Sequence, residues 1–122
     1  MTSKQTRSGK RPVHRFLTVC LGGNVRSVGL AAVLKLQEGQ EAIAVGALFT
    51  SPATFRLLIS WAQYVVVMAE EVIGYLPPFV VQSRKLRLVD VGPDRFGNPF
   101  HQELQDYFKP LVADWALRAW KI

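Results

Sequence analysis

Four short apolar runs punctuate the chain. They are "RFLTVCL" from Arg15, "EAIAVGAL" from Glu41, "YVVVMA" from Tyr64 and "KLRLVDV" from Lys85. Each is rich in β-branched residues and is bounded by turn formers, the signature of a strand. Their apolar character is nearly continuous rather than alternating, which predicts strands covered on both faces. Helical patterns lie between them. "VRSVGLAAVLKLQEG" sets Val28, Ala31, Ala32, Leu34 and Leu36 near helical spacing, with Gly39 as a stop. Gly29 lowers the helix propensity of that segment, so it marks an expected close approach. "SPATFRLLISWAQ" opens with Ser51 as a cap and Pro52 at the first helical position. "EEVIGYLPP" reads as one short helical turn stopped by Pro77 and Pro78. A last helix is expected from Asn98 and Pro99, with Phe100, Leu104, Tyr107, Phe108, Leu111, Val112 and Trp115 along one side. Pro110 should bend or divide it.

Strand–helix alternation of this kind predicts an α/β fold: a single-domain, three-layer arrangement with a central four-stranded parallel sheet flanked by helices. There is no internal repeat and no second domain. Ligands of such sheets sit beyond the carboxyl ends of the strands. Two segments arrive at that edge: "TVCLGGNVRS", Thr18 to Ser27, and the loop "GPDRFG" after the fourth run.

Charge alters the picture only at the start of the chain. The 122 residues carry a formal net charge of +6. Lys4, Arg7, Lys10, Arg11 and Arg15 lie in the first 15 residues without an acid, and removing those five leaves +1 for residues 16–122. The excess therefore reads as a flexible basic arm over residues 1–14, ahead of a domain over residues 15–122. An arm of this kind solubilises, or it touches nucleic acid or an acidic partner. A single cysteine excludes an internal disulfide, and no apolar run reaches the roughly 18 residues of a membrane span. A soluble cytoplasmic protein is the expectation. His14 and His101 lack metal-ligand spacing and are expected at the surface. Trp61, Trp115 and Trp120 suit packing roles.

The cysteine is placed where chemistry could use it. Cys20 ends an apolar strand, Gly22 and Gly23 follow, and Arg26 and Ser27 stand six and seven residues on. A tight glycine turn that opens a helix points its backbone N–H groups inward as an anion nest, and the helix N-terminus adds positive potential. Arginine at the helix start can fork two N–H bonds onto a phosphate. The same field favours the thiolate, the nucleophilic form, to which Ser27 could donate a hydrogen bond. The phosphate-binding loop is thus read as Leu21, Gly22, Gly23, Asn24, Val25, Arg26 and Ser27 behind Cys20. A proton donor for the leaving oxygen is also required. Asp94 in the late loop is favoured, with Gly92 and Gly97 as hinges, and Asp90, placed inside the fourth strand, is its rival.

"VCLGGNVRS" resembles the phosphate-binding loop of the low-molecular-weight protein tyrosine phosphatases, including their small bacterial and phage relatives. In that family the loop also follows the first strand. "WAQYVVVMAEEV" resembles a later strand of the family, and "VGPDRFGN" its late loop. The similarity covers residues 15 to about 112. It implies Cys20 as nucleophile, Asp94 as general acid and Phe96 as a wall of the substrate pocket. Three features depart from the family pattern. Gly23 stands where asparagine is usual, Arg95 where proline or an acid is common, and the segment before "WAQYVVVM" is short for an aromatic lid loop.

The resemblance implies hydrolysis of phosphate monoesters, phosphotyrosine among them, through a phosphocysteine intermediate. It implies neither metal nor cofactor. The partners would be a phosphorylated protein or a small phosphate monoester, with phosphate or another oxyanion in the loop and no membrane. Three other readings remain open: a phosphate- or phosphoprotein-binding module with little turnover, arsenate reduction with an external thiol, and nucleic-acid or acidic-partner binding through the basic arm.

Overall fold

The computed structural model describes residues 13–120. Four parallel strands form one sheet: β1 (Arg15–Cys20), β2 (Glu41–Gly46), β3 (Tyr64–Val67) and β4 (Leu86–Leu88), in the order β2-β1-β3-β4. Five helices connect and cover them: α1 (Arg26–Glu38), α2 (Pro52–Trp61), α3 (Glu70–Ile73), α4 (Pro78–Val81) and α5 (Gln102–Leu117). The pleat sends alternate side chains of β1 to opposite faces. Phe16 and Cys20 join Val66, Met68 and the buried faces of α1 and α5. Leu17 and Val19 join Val65, Val67 and the residues of α2, α3 and α4. The result is the expected three-layer α/β fold with Cys20 on the α1 face.

Only the central strands are covered throughout. β1 and β3 are buried or nearly so, whereas β2 and β4 alternate or are partly open, because they form the sheet edges. β4 is shorter than the apolar run suggested. After the bond from Val89 N–H to the Val67 carbonyl the chain turns away, so Asp90 lies beyond the strand rather than inside it.

Local signals fixed several helix ends. Gly39 closes α1 in the left-handed region at φ 66°, and Ser51 caps α2 by accepting from Thr54 N–H, with Pro52 behind it. Gly29 is a point of close approach: a Cβ there would lie 2.7 Å from the Pro99 carbonyl oxygen and 3.1 Å from Leu104. That contact seats α5 and the turn before it on α1.

Other expectations are corrected. Pro78 does not only stop a helical turn; it begins α4. The last helix starts at Gln102, not at Asn98. Asn98 instead builds a turn, its side chain accepting from Phe100 N–H and its carbonyl from His101 N–H. Pro110 does not divide α5. The lost backbone bond costs about 3 kcal/mol, and burial of Leu104, Phe108, Val112 and Trp115 outweighs it at about 1.5–3 kcal/mol per side chain. Phe100, Tyr107 and Leu36, read as core-facing, are exposed.

The arm expected over residues 1–14 lies, up to Pro12, outside the described residues. His14 belongs to the domain. Its N–H donates to Gln40 Oε1 and its ring packs near Tyr64 and Trp120, so it is half-buried rather than a surface residue. His101 is likewise half-buried and caps α5, accepting from Glu103 N–H. Among the described residues no helix is long and apolar enough to cross a membrane.

Candidate active site

Residues 21–25 turn between the end of β1 and the start of α1. Their shape is set largely by where their carbonyls go. The Cys20 carbonyl accepts from Ala47 N–H at 2.8 Å and the Leu21 carbonyl from Leu48 N–H at 3.1 Å, both at the exit of β2. Turning carbonyls outward leaves loop N–H groups free to face inward. One of them, on Gly23, donates to Cys20 Sγ at 3.0 Å. Gly23 sits at φ 74°, where glycine is favoured.

Glycine is required there for a second reason. A Cβ on Gly23 would fall 2.3 Å from the Gly46 nitrogen, and a Cβ on Gly46 would fall 2.4 Å from the Gly22 carbonyl carbon. The asparagine usual at the Gly23 position has no room, because the backbone at the end of β2 fills that space. Bracing comes from elsewhere. Thr18, buried in β1, donates from Oγ1 to the Ser27 carbonyl at 2.8 Å and pins the first turn of α1.

Two predicted side chains touch, and a third adjoins them in the chain. Cys20 Sγ lies 3.1 Å from Ser27 Oγ, both residues being buried. Arg26 is 3% exposed. Its Nη1 donates to the Gly92 carbonyl at 3.0 Å, whereas its Nε is buried and has no hydrogen-bond partner. The guanidinium therefore ties the late loop to the cysteine loop with one N–H and holds another in reserve. α1 has no side-chain cap and no acid in its first turn, so its leading N–H groups and dipole remain available to an anion. Asn24 is exposed, and Leu21, Gly22 and Val25 are half-buried along the turn.

The late loop is ordered by its own contacts. Asp90 Oδ1 accepts from Gly92 N–H at 2.9 Å, and Gly92 and Gly97 both take positive φ. Asp94 follows two residues later, exposed and without a hydrogen bond among the described residues. No hydrogen bond joins its carboxylate to Cys20 among the described residues. Asp90 lines a cavity of about 820 Å³ at this edge, with Glu70, Glu71, Gly74 and Gly92. Phe96 is 7% exposed and packs in the core against His101, with the Arg95 guanidinium 4.4 Å above its ring. Phe49, 78% exposed, stands in the short turn after β2 that begins with Ala47 and Leu48, the residues bonded to the Cys20 and Leu21 carbonyls.

Arg95 also bonds Glu103 on α5. That hydrogen bond holds the Glu103 carboxyl below its usual range and raises Arg95 above its own. Because the folded value of Glu103 is lowered, the tether is intact above the unfolded value of about 4.3 and is lost as pH falls through the folded one. Amide exchange in residues 92–98, measured relative to α1, is expected to accelerate below about pH 4. Glu103→Gln should remove that step. The pair is exposed, so a large change in global stability would contradict this reading.

Sequence reasoning missed Thr18, Gly46, Phe49 and the Gly92 carbonyl. Thr18 was visible as the polar residue of an apolar strand. The roles of Gly46 and of the Gly92 carbonyl arise from contacts between distant segments and left no local signal.

No family model and no curated protein sequence matches the chain. Solved structures do. The arginine phosphatase YwlE from Geobacillus stearothermophilus is 20% identical with a TM-score of 0.66, over 86% of this chain and 92% of that one. YfkJ from Bacillus subtilis is 18% identical with a TM-score of 0.60, over 90% and 99%. SP-PTP, a low-molecular-weight protein tyrosine phosphatase from Streptococcus pyogenes, is 16% identical with a TM-score of 0.60, over 87% and 93%. The chain shares with these structures the fold of the low-molecular-weight phosphatases.

Proposed function

We propose that the protein is a cysteine-dependent phosphatase acting on phosphate monoesters. The observation that carries this reading is the buried, unpartnered Nε of Arg26 at the helix start beside Cys20. A buried guanidinium N–H without an acceptor is costly, and a phosphate oxygen would satisfy it. In the first step the Cys20 thiolate attacks phosphorus, the S–P bond forms and the P–O bond to the leaving group breaks. Asp94 gives the leaving oxygen its proton. In the second step water attacks phosphorus, Asp94 takes a proton from that water, and the S–P bond breaks to release inorganic phosphate and the thiolate. Arg26, the loop N–H groups and the α1 dipole hold the non-bridging oxygens throughout, a matter of electrostatic positioning. Ser27 donates to the sulfur when it carries charge.

The deciding test is release of phosphate from an aryl phosphate by the native chain and by Cys20→Ser, in the presence of a chelator. Turnover by the native chain and none by the variant supports the reading. Equal rates overturn it. Phosphate or vanadate should also protect Cys20 from iodoacetate.

The acid is assigned by leaving group. Asp94→Asn is expected to slow an alkyl or unactivated phenyl phosphate by about 10²- to 10⁴-fold, and an activated nitrophenyl ester much less. Asp90→Asn should show no such dependence, since its carboxylate is engaged with Gly92 N–H. A steeper leaving-group slope for Asp90→Asn alone would reverse the roles.

Phosphotyrosine is proposed as one substrate, with Phe49 rather than Phe96 as the accessible ring. The exposed position of Asp94 favours a second reading, a phosphate-binding module of low turnover. Saturable vanadate binding without phosphate release distinguishes it.

A further inference from the structure

The formal charge of +1 on residues 16–122 conceals a segregation. Glu70, Glu71 and Asp90 line one cavity at the carboxyl edge of the sheet, and Asp94 follows in the late loop. At the opposite edge, beside the exposed Glu41 that begins β2 and pairs in register with Arg15, lies a cationic groove. Open and of about 670 Å³, it sits where β1, β3 and β4 begin and α2 ends, and is lined by Arg15, Arg84, Lys85 and Arg87, with no carboxylate in its lining. β1 separates the two edges by about 16 Å at strand rise.

These cations are held in place by backbone oxygens, not by acids. Lys85 Nζ donates to the Ile59 and Ala62 carbonyls at the end of α2, where the helix dipole partly offsets its charge. Arg15 Nε donates to the Trp61 carbonyl, and its terminal nitrogens make no hydrogen bond among the described residues. Arg87 Nη1 donates to the Leu86 and Arg84 carbonyls, and its Nε is buried without a partner. Arg84 is exposed, and its side chain makes no hydrogen bond among the described residues. Among the described residues no carboxylate forms an ion pair with these cations, so they repel one another, and an anion reverses the sign of that term. The chain also enters the domain here, and residues 1–12 carry Lys4, Arg7, Lys10 and Arg11 with no acid.

We infer that this groove is a second anion site and that it binds the phosphate backbone of nucleic acid without reading sequence. The volume is too large for one phosphate, and the guanidinium groups of Arg15 and Arg84, whose terminal nitrogens make no hydrogen bond among the described residues, suit bidentate phosphate contacts. A protein partner would want an apolar or aromatic anchor, and the groove offers none. Tyr64, its aromatic residue, is half-buried, carries Arg87 on its ring and donates its hydroxyl to the Trp120 carbonyl. The same occupancy removes a stacking platform for bases, so contacts to the backbone remain.

Fluorescence anisotropy on the full chain tests this, with a labelled single strand of roughly 20 nucleotides and its duplex. Micromolar binding at physiological salt is expected, weakening as salt rises. Arg84→Ala should reduce the slope of log affinity against log salt by about 0.7 on the single strand and about 0.9 on the duplex. Its melting temperature should match the native one, and Arg84→Lys should restore the slope. A chain with Lys4, Arg7, Lys10 and Arg11 all changed to glutamine should bind more weakly yet still respond to Arg84→Ala. Vanadate in the cysteine loop should not compete, because the two sites lie at opposite edges. Four results overturn the inference: no binding at about 50 mM salt, an unchanged slope for Arg84→Ala, displacement by polyglutamate at equal charge, or competition by vanadate.

Discussion

Arg26→Lys is expected to lower turnover by about 10²- to 10³-fold with the fold retained. Lysine keeps the charge but not the planar set of donors. The native guanidinium spends Nη1 on the Gly92 carbonyl and keeps Nε free. One ammonium cannot both tie the late loop and serve a phosphate with that geometry. The loss should therefore appear in the chemical step and in oxyanion protection of Cys20 alike. Melting temperature and circular dichroism separate it from unfolding. Near-native turnover by the variant would mean that Arg26 is only a structural tie to the late loop.

Gly46→Ala is expected to be nearly as damaging, although Gly46 bears no functional group. Its new Cβ would meet the Gly22 carbonyl carbon at 2.4 Å and oxygen at 2.5 Å. These are backbone atoms and cannot rotate aside. The cysteine loop must move, and a displacement near 1 Å can cost about 10²-fold in rate. Overpacking of this kind typically costs about 1–3 kcal/mol of stability. Gly22→Ala is the control, since a Cβ there meets nothing within 4 Å and its φ is not positive. The adjacent glycines should thus behave differently: alanine tolerated at Gly22, and not at Gly23, where left-handed backbone and the Gly46 nitrogen both oppose it. Comparable activity of Gly22→Ala and Gly46→Ala would show that the close approach does not set the loop.

The sequence exposed the parts of this arrangement that are local. Cys20, Gly23, Arg26 and Ser27 are legible because a strand, a glycine turn and a helix start impose their spacing directly. Ser51, Pro52 and Gly39 are legible for the same reason, each satisfying backbone groups within a few residues. What stayed hidden depends on segments that meet only after folding. The glycine in "AVG" carries no hint that Gly46 abuts Gly22. The family resemblance implies Phe96 as a pocket wall, but the contact with His101 and the core turns it inward. Pro110 looks like a helix breaker until the apolar face around it is seen buried. The cationic groove left no local signal because Arg15 is far in sequence from Arg84 and Arg87, and a net value averages all three with acids elsewhere.

The solitary thiol has a consequence under oxidative stress. Peroxide converts a reactive cysteine first to a sulfenic acid, which a neighbouring thiol can trap as a disulfide. This chain has no other cysteine. Once oxidised, Cys20 depends on a thiol from outside the molecule for rescue, and without one it can proceed to the sulfinic and sulfonic states that most cells cannot reverse. Burial of Cys20, 1% exposed as a residue, is then its main protection, and an oxyanion seated in the loop would deepen that protection by covering the entrance.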